Sequence, residues 1–591
     1  MTADSGNGGG RRAHRTAPAP HRVSKVEVVK ARGHYLRGTV AEELASERPD
    51  FSGEAIQLLK FHGTYQQDDR DLRGTKGPDG RSLAKAFAMM VRTKLPGGKL
   101  TAEQLLVQLD LCDRYGNGTL RITDRQALQL HGVLKRNLRE TIRRINEAQM
   151  TTLGACGDVQ RNVLCCPAPI KDAVHEEIQR MADELSRHFL PRSAAYHEIW
   201  LRDPETGQRQ RVWPEDAGEV EPVYGRTYLP RKFKTAIALP EDNCVDVYTN
   251  DLGLVAICRD GRVIGYNVLA GGGLGMTPSK ASTFPALARE VAFVAPEEVV
   301  AVAEAVVKVQ RDHGNRADRK RARLKYLIAD WGVDRFRSVV AEYYGRPLTD
   351  PHPVHVCGHD DHMGWHPQGD GRWFYGLNIE NGRLADHNGC QLKAAVRRVA
   401  ERYRPGIRLT GHQSILFTDI AEEDRSGVEE VLRQHGVASS EEFSTVRRWS
   451  MACVALPTCP LAVTEAERVL PSVVDQLERE LQRLGLAGER FTVRMTGCPN
   501  GCARPYNADI GLVGKTKGKY TIYLGGSRLG TRLAFLFKDL VPLGDIVSEL
   551  VPVLQYFRQS RRGGETLGDF CARKGREDLL ARSPARPVAA G

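Results

Sequence analysis

Ser450-Met-Ala-Cys-Val-Ala-Leu-Pro-Thr-Cys-Pro-Leu-Ala462 and Thr496-Gly-Cys-Pro-Asn-Gly-Cys-Ala-Arg504 are the two stretches from which the rest of the chain can be read. They set four cysteines at 453, 459, 498 and 502, with five residues inside the first pair, three inside the second and 38 between the pairs. Zinc knuckles present their ligands two to four residues apart on tight turns, so this spacing suits zinc poorly. It suits a larger cubane held by four thiolates. Proline follows Cys459 and Cys498, removing a backbone N–H and fixing each turn. Gly497 and Gly501 let the backbone approach inorganic sulfur closely. Thirteen cysteines, an odd number in a long chain, do not describe a secreted disulfide scaffold, and a reducing compartment follows.

Around these stretches lie 591 residues, too many for one hydrophobic core, and three or four domains are expected. No run of 18 apolar residues exists, which excludes a membrane-spanning helix. The net charge of +12 suits an anionic substrate, an acidic cofactor or partner, or nucleic acid. Residues 1–24 carry four arginines and one aspartate with almost nothing apolar, and read as a disordered basic tail. That composition leaves organelle targeting open, with the cytoplasm as the default location.

Two internal echoes organise the chain. The run from Gly118 to His131, GTLRITDRQALQLH, recurs as GIRLTGHQSILF from Gly406 to Phe417, each after a helix-like segment (102–111 and 392–403). Asn250-Asp-Leu-Gly-Leu-Val255 recurs as Ala508-Asp-Ile-Gly-Leu-Val513, and Gly271–Gly275 is answered by Gly525–Gly530. Echoes in the same order predict a duplicated unit, an α+β protein of pseudo-twofold multidomain architecture with a site between its halves. Helices are expected over 299–312 and 465–484, and a turn-rich connection over 347–371. The connection's His355, Cys357, His359, His362 and His366 fit no compact metal site by spacing, and read as loop residues.

The cysteine stretches resemble the cluster signature of assimilatory sulfite and nitrite reductases, which couple a [4Fe–4S] cluster to sirohaem. The resemblance runs from about residue 24 to 574. After the basic tail over 1–24, it implies ferredoxin-like half-domains over 25–150, with an N-terminal arm, and 346–425, a sirohaem-binding α/β domain over 151–345, and an iron–sulfur/sirohaem domain over 426–591. It also implies that Cys453, Cys459, Cys498 and Cys502 ligate the cluster, with Cys502 bridging to the sirohaem iron.

Sirohaem is a polycarboxylate, so its pocket needs cationic donors. Read as one extended strand, Arg121–His131 puts Arg121, Thr123, Arg125, Gln129 and His131 on one face and apolar residues on the other. The basic run Asn315–Lys325, read as a helix, sets Arg316, Arg319 or Lys320, and Arg323 on one side. The resemblance assigns cofactor contacts to Arg121, Arg125, Gln129, His131, Arg231, Arg323 and Asn500. It assigns sulfite binding to Arg92, Arg161, Lys232 and Lys234; the last two share a strand face through their period-two spacing. Related nitrite reductases typically carry asparagine at the position of Lys234, so lysine there points to sulfite. The segment Phe61–Asp71 matches the family as well, and both Tyr65 and Cys166 are expected near the pocket. Some relatives carry a Tyr–Cys crosslink there; spacing establishes none in this chain.

Gly271–Gly275 lacks a surrounding strand–GxGxxG–helix unit, and Gly514-Lys-Thr516 lacks the first Walker glycine, Asp509 standing in its place. With neither a flavin nor a nicotinamide motif, electrons are expected from a partner. An acidic ferredoxin is favoured over the flavoprotein subunit of an NADPH-dependent enzyme, because excess positive charge would steer it. Nitrite reduction is the alternative activity on the same scaffold. DNA binding is a secondary alternative of a different class, and no DNA-reading motif supports it.

Overall fold

The computed structural model describes residues 23–76, 84–193, 195, 199–213, 221–387 and 389–582. The expected basic tail therefore lies outside the described residues except for Val23 and Ser24.

Two five-stranded sheets share one core. The first runs in the order Thr64–Asp68, Phe87–Arg92, Leu128–Val133, Leu120–Ile122, Arg383–Leu384; the second Gly364–Pro367, Trp373–Leu377, Ile415–Ile420, Gly406–Leu409, Lys99–Leu100. Each sheet ends in a two-residue strand contributed by the other half, so the halves interlock. The helices Ala102–Arg114 and Leu392–Tyr403 carry buried leucines, valines and alanines into that common core.

The other two sheets are topological copies of each other. Gln160–Cys165, Phe233–Ala238 and Leu252–Arg259 are parallel neighbours, and Arg262–Ala270 and Arg289–Val294 follow antiparallel. Ser450–Ala452, Val493–Thr496, Ile510–Thr516, Lys519–Leu524 and Phe535–Pro542 repeat that order and polarity. Their central strands read as continuous apolar runs because both faces are covered. The sequence echo is thus a duplicated strand at the same place in two sheets.

The expected helices form at Val299–His313 and, in the second case, at Leu470–Arg483. The second starts five residues later than its pattern suggested, with Pro471 in its first turn, where a missing N–H costs nothing. The basic run 315–325 departs from the expected helix. Asn315 Oδ1 accepts from the N–H groups of Ala317 and Asp318, and Asp318 Oδ1 from that of Lys320. These side-chain turns compete with helix hydrogen bonds. The α-helix begins only at Leu324, and the arginines spread to separate acids: Arg316 to Glu27, Arg319 to Asp158, Arg323 to Asp251.

The two α/β units meet at Asp246 and Arg504, both in the left-handed region with φ of 50° and 58°, each leading into a 3-10 turn. Asp246 accepts from Arg494 at 2.8 Å and Asn507 at 3.1 Å, and lies 3.1 Å from Arg504. Burial opposes its charge, but Arg494 and Arg504 outweigh it and hold the carboxyl below its ordinary value. Asp246→Ala leaves two buried guanidiniums uncompensated and should cost about 3–5 kcal/mol, measured as a lowered thermal unfolding midpoint. Because the folded pKa is depressed, this contribution is present above about pH 4 and lost as pH falls through the folded value.

Candidate functional site

Three parts of the molecule close around one cavity. The first shared sheet contributes Tyr65, Met90, Arg92, Arg121, Thr123, Arg125, Gln129 and His131; the first α/β unit contributes Arg161, Lys232 and Lys234. The second unit contributes Cys453, Cys459, Cys498, Asn500 and Cys502. Side chains from Tyr65 to Ala503 thus line one chamber, all the expected cysteines among them.

In the cysteine loops the glycines make room for protein neighbours. Gly497 N–H donates to Cys453 Sγ at 3.4 Å, and Asn500 bonds Cys498 through both its backbone and its side chain. A Cβ on Gly497 would meet Thr464 O at 2.5 Å and Ala455 Cβ at 2.6 Å. Gly501 takes φ of +63° against the Tyr506 ring. Burial, and then the other thiols, push Cys453 and Cys498 up, Cys498 to about 12. Crowded thiols of this kind give up their protons to a metal. Among the described residues, only one group of three or more His, Cys, Asp and Glu side chains is compact enough for a single ion, and these four cysteines are not it. Their wider separation fits a cluster.

The cationic wall corrects two expectations. Arg121–His131 is a hairpin, not one strand: Leu120–Ile122 pairs with Leu128–Val133, and Gln126 closes the turn at φ 49°. The functional face survives because Arg121 and Gln129 are cross-strand partners. Arg121 is itself tied to Glu467 at 2.8 Å and to Ala452 O at 3.0 Å, and Arg383 grips the same Glu467. Glu467 escaped sequence reading; its N–H bonds Cys453 O, so it joins the cationic wall to the cluster loop. Arg125 bonds Asn250 at 2.9 Å, and Arg161 bonds Gly157 O at 3.0 Å.

Arg231 and Arg323 are not among the residues that line the chamber. Arg323 forms a two-pronged pair with Asp251 at 2.9 and 2.7 Å, and Asp251 also accepts the Lys234 backbone N–H at 2.8 Å. Through Asp251, Arg323 is tied to the strand that carries Lys234. The second expectation concerns cysteine. Cys166 lies away from the pocket, since Cys165–Cys166 follow the strand's far end; Cys156 is the one near Tyr65, with Arg92 Nη1 3.2 Å from its sulfur. Burial and then Cys156 push the Tyr65 phenol up. The decoy Gly271–Gly275 serves packing: a Cβ on Gly272 would meet Tyr248 O at 2.2 Å, and Gly275 sits on Asn500 O.

Charge is concentrated here beyond what the protein compensates. Burial, then neighbouring cations, lower Arg125 to about 9, Arg231 to about 10 and Lys234 to about 7, and Lys232 drops well below its ordinary value. His131 is held neutral by burial and by Arg383, Arg121 and Arg92. Both its ring nitrogens and Arg125 Nε are buried without a hydrogen-bond partner among the described residues. A polycarboxylate cofactor fits this wall, because it brings the acceptors and negative charge that the wall lacks.

Family models match the same parts of the chain. Residues 180–348 and 444–583 match the nitrite and sulphite reductase 4Fe-4S domain, and residues 85–148 and 366–435 match the nitrite/sulfite reductase ferredoxin-like half domain. The chain belongs to the nitrite and sulphite reductase family. The family's cofactors, a [4Fe–4S] cluster and sirohaem, are those the chamber suits. A "Sulfite reductase [ferredoxin]" from Synechococcus elongatus is 44% identical over 573 residues, 95% of this chain and 91% of that one. A "Sulfite reductase [NADPH] hemoprotein beta-component" from Chromohalobacter salexigens is 46% identical over 551 residues, 93% and 95% of the two chains. The solved structure of Mycobacterium tuberculosis NirA superposes with a TM-score of 0.77 at 27% identity, covering 96% of this chain and 98% of that one.

Burial and the neighbouring Arg125 and Arg323 lower Lys234 to about 7, and an anion seated beside it would raise that value. Lys234→Met should weaken anion binding about tenfold or more, the loss of one charged hydrogen bond, measured by titrating the loaded enzyme with sulfite.

Proposed function

We propose that this protein reduces sulfite to sulfide, SO3²⁻ + 6 e⁻ + 7 H⁺ → HS⁻ + 3 H2O, with electrons supplied by a ferredoxin. The observation that carries this reading is the convergence of Arg92, Arg161, Lys232 and Lys234 on the chamber that also receives the four cysteines. Cys453, Cys459, Cys498 and Cys502 would hold the cluster, and Cys502, exposed toward the chamber, would also reach the sirohaem iron. Arg121, Arg125, Gln129, His131 and Asn500 would meet the macrocycle, with Arg231 and Arg323 outside the chamber's lining. When bound, the cluster and macrocycle supply the electron path and the redox centre.

The protein's part is charge, orientation and protons. A doubly charged oxyanion leaving water needs compensating cations. Arg92 and Arg161 offer forked donors, and the two lysines offer mobile protons. A lysine near pKa 7 divides between donor and acceptor forms at neutral pH, as repeated proton delivery requires. Arg323 and Asp251 hold the Lys234 strand in place during this exchange.

The relatives' names divide between ferredoxin and NADPH-linked enzymes, so similarity does not choose the donor. Charge and placement favour the acidic protein. Beside Cys459, Leu461 is 64% exposed. The hairpin turn carrying exposed Lys515, Lys517 and Lys519 abuts this loop, Gly518 N–H donating to Thr464. An apolar spot rimmed by lysines suits a small acidic donor.

Enzyme purified from a sirohaem-making host should turn over sulfite with reduced methyl viologen and with reduced ferredoxin, the latter slowed steeply by salt. Activity only with an NADPH-dependent flavoprotein would replace the ferredoxin assignment. Lys517→Glu should raise the KM for ferredoxin and leave the viologen rate unchanged. Lys234→Asn should depress sulfite turnover more than nitrite turnover; equal losses would remove the case for sulfite.

A further inference from the structure

The first α/β unit holds a second cysteine centre, related by the internal duplication to the four-cysteine loops. Sheet register makes the relation residue-specific. Leu252 pairs with Thr235 as Ile510 pairs with Val493; Val163 pairs with Thr235 as Ser450 pairs with Val493. Counting three residues on from Val163 and Ser450 places Cys166 opposite Cys453. Counting eight back from Leu252 and Ile510 places Cys244 opposite Cys502, and ten back places Asp242 opposite Asn500. The first unit thus keeps two thiols at positions equivalent to cluster ligands and has Pro240 and Asp172 where Cys498 and Cys459 stand.

In this counterpart the connection between the halves folds inward. Cys357 and Gly358 N–H groups donate to Pro240 O at 2.7 and 3.1 Å, and Asn243 N–H donates to Gly358 O. His362 is thereby brought to the two thiols. Cys166 Sγ lies 2.8 Å from Asp242 Oδ2 and 3.8 Å from His362 Nε2, and that nitrogen lies 3.2 Å from Asp242 Oδ2. All four side chains are buried, and their ligand atoms, with Cys244 Sγ, lie within 4.8 Å of one another.

We infer that Cys166, Asp242, Cys244 and His362 bind a single zinc ion. Two sulfurs, one imidazole nitrogen and one carboxylate oxygen form a zinc donor set. Thiolates at about 2.3 Å and nitrogen or oxygen at about 2.0 Å from a tetrahedral ion stand roughly 3–4 Å apart, close to the spacing already present. Asp242 is held in the orientation a ligand needs. Its Oδ1 accepts the N–H groups of Cys244 and Asp360, both at 3.1 Å, which turns Oδ2 to the thiols. The ion pins the connection to the first unit. The local spacing of the connection's histidines gave no such site, because His362 finds its partners 118 to 196 residues away.

The test is metal analysis of the cofactor-loaded, chelator-washed enzyme produced with zinc in the medium. The expected result is about one zinc per chain in addition to the iron, with zinc K-edge absorption giving two sulfurs at about 2.3 Å. Cys244→Ser and Asp242→Asn should each lose zinc by tenfold or more while keeping the wild-type iron count and visible spectrum. Zinc below a tenth of an equivalent in the wild type, zinc without sulfur neighbours, or a Cys166–Cys244 disulfide in protein kept under reductant would overturn the assignment. Iron and zinc counts fail separately, so loss of the sulfite reductase reading would leave this one standing or falling by itself.

Discussion

Asp246 is the charge around which the two α/β units close. A buried carboxylate alone would be costly, and so would Arg494 and Arg504 without it. Placed together at the pseudo-twofold axis, they fix the two left-handed turns that lead into the duplicated strands. Leu252 pairs with Thr235 beside the lysine pair, and Ile510 pairs with Val493 on the strand that leads to Cys498. Arg504 belongs to the second cysteine stretch and its charge also bears on Arg125, so the ion pair links the cluster loop to the cationic wall.

A second constraint is electrostatic excess. Lys232, Lys234, Arg125 and Arg161 share one buried chamber, and burial together with the neighbouring cations lowers the proton affinity of the first three. Such a chamber is stable in company with anions. Glu467 and Asp251 satisfy Arg121, Arg383 and Arg323, while both His131 ring nitrogens and Arg125 Nε are buried without a hydrogen-bond partner among the described residues. The division between arginines already paired and cations left open separates positioning groups from those available to a cofactor or oxyanion.

Duplication supplied the scaffold and divergence made its two ends different. At the place of Lys232 and Lys234 the second unit has Arg490 and Thr492, and at the place of Arg125 the second shared sheet has His412. His359 from the connection fills that space, 3.2 Å from His412 and edge-on to Trp449. One chamber stays open and its counterpart is plugged by the chain that links the halves.

Legible in the sequence alone were the cysteine loops, the duplication and the shared face of Lys232 and Lys234. Each is a local pattern, set by spacing, turn chemistry or side-chain period. Only the tertiary structure decided that Arg121–His131 turns back as a hairpin, that Arg323 is held by Asp251, that Cys156 rather than Cys166 neighbours Tyr65, and that Cys166 meets His362. Periodicity tells which face of an element is buried. Which distant residue lies across from it is fixed by sheet register and by the closure of the two halves, and no local pattern carries that information.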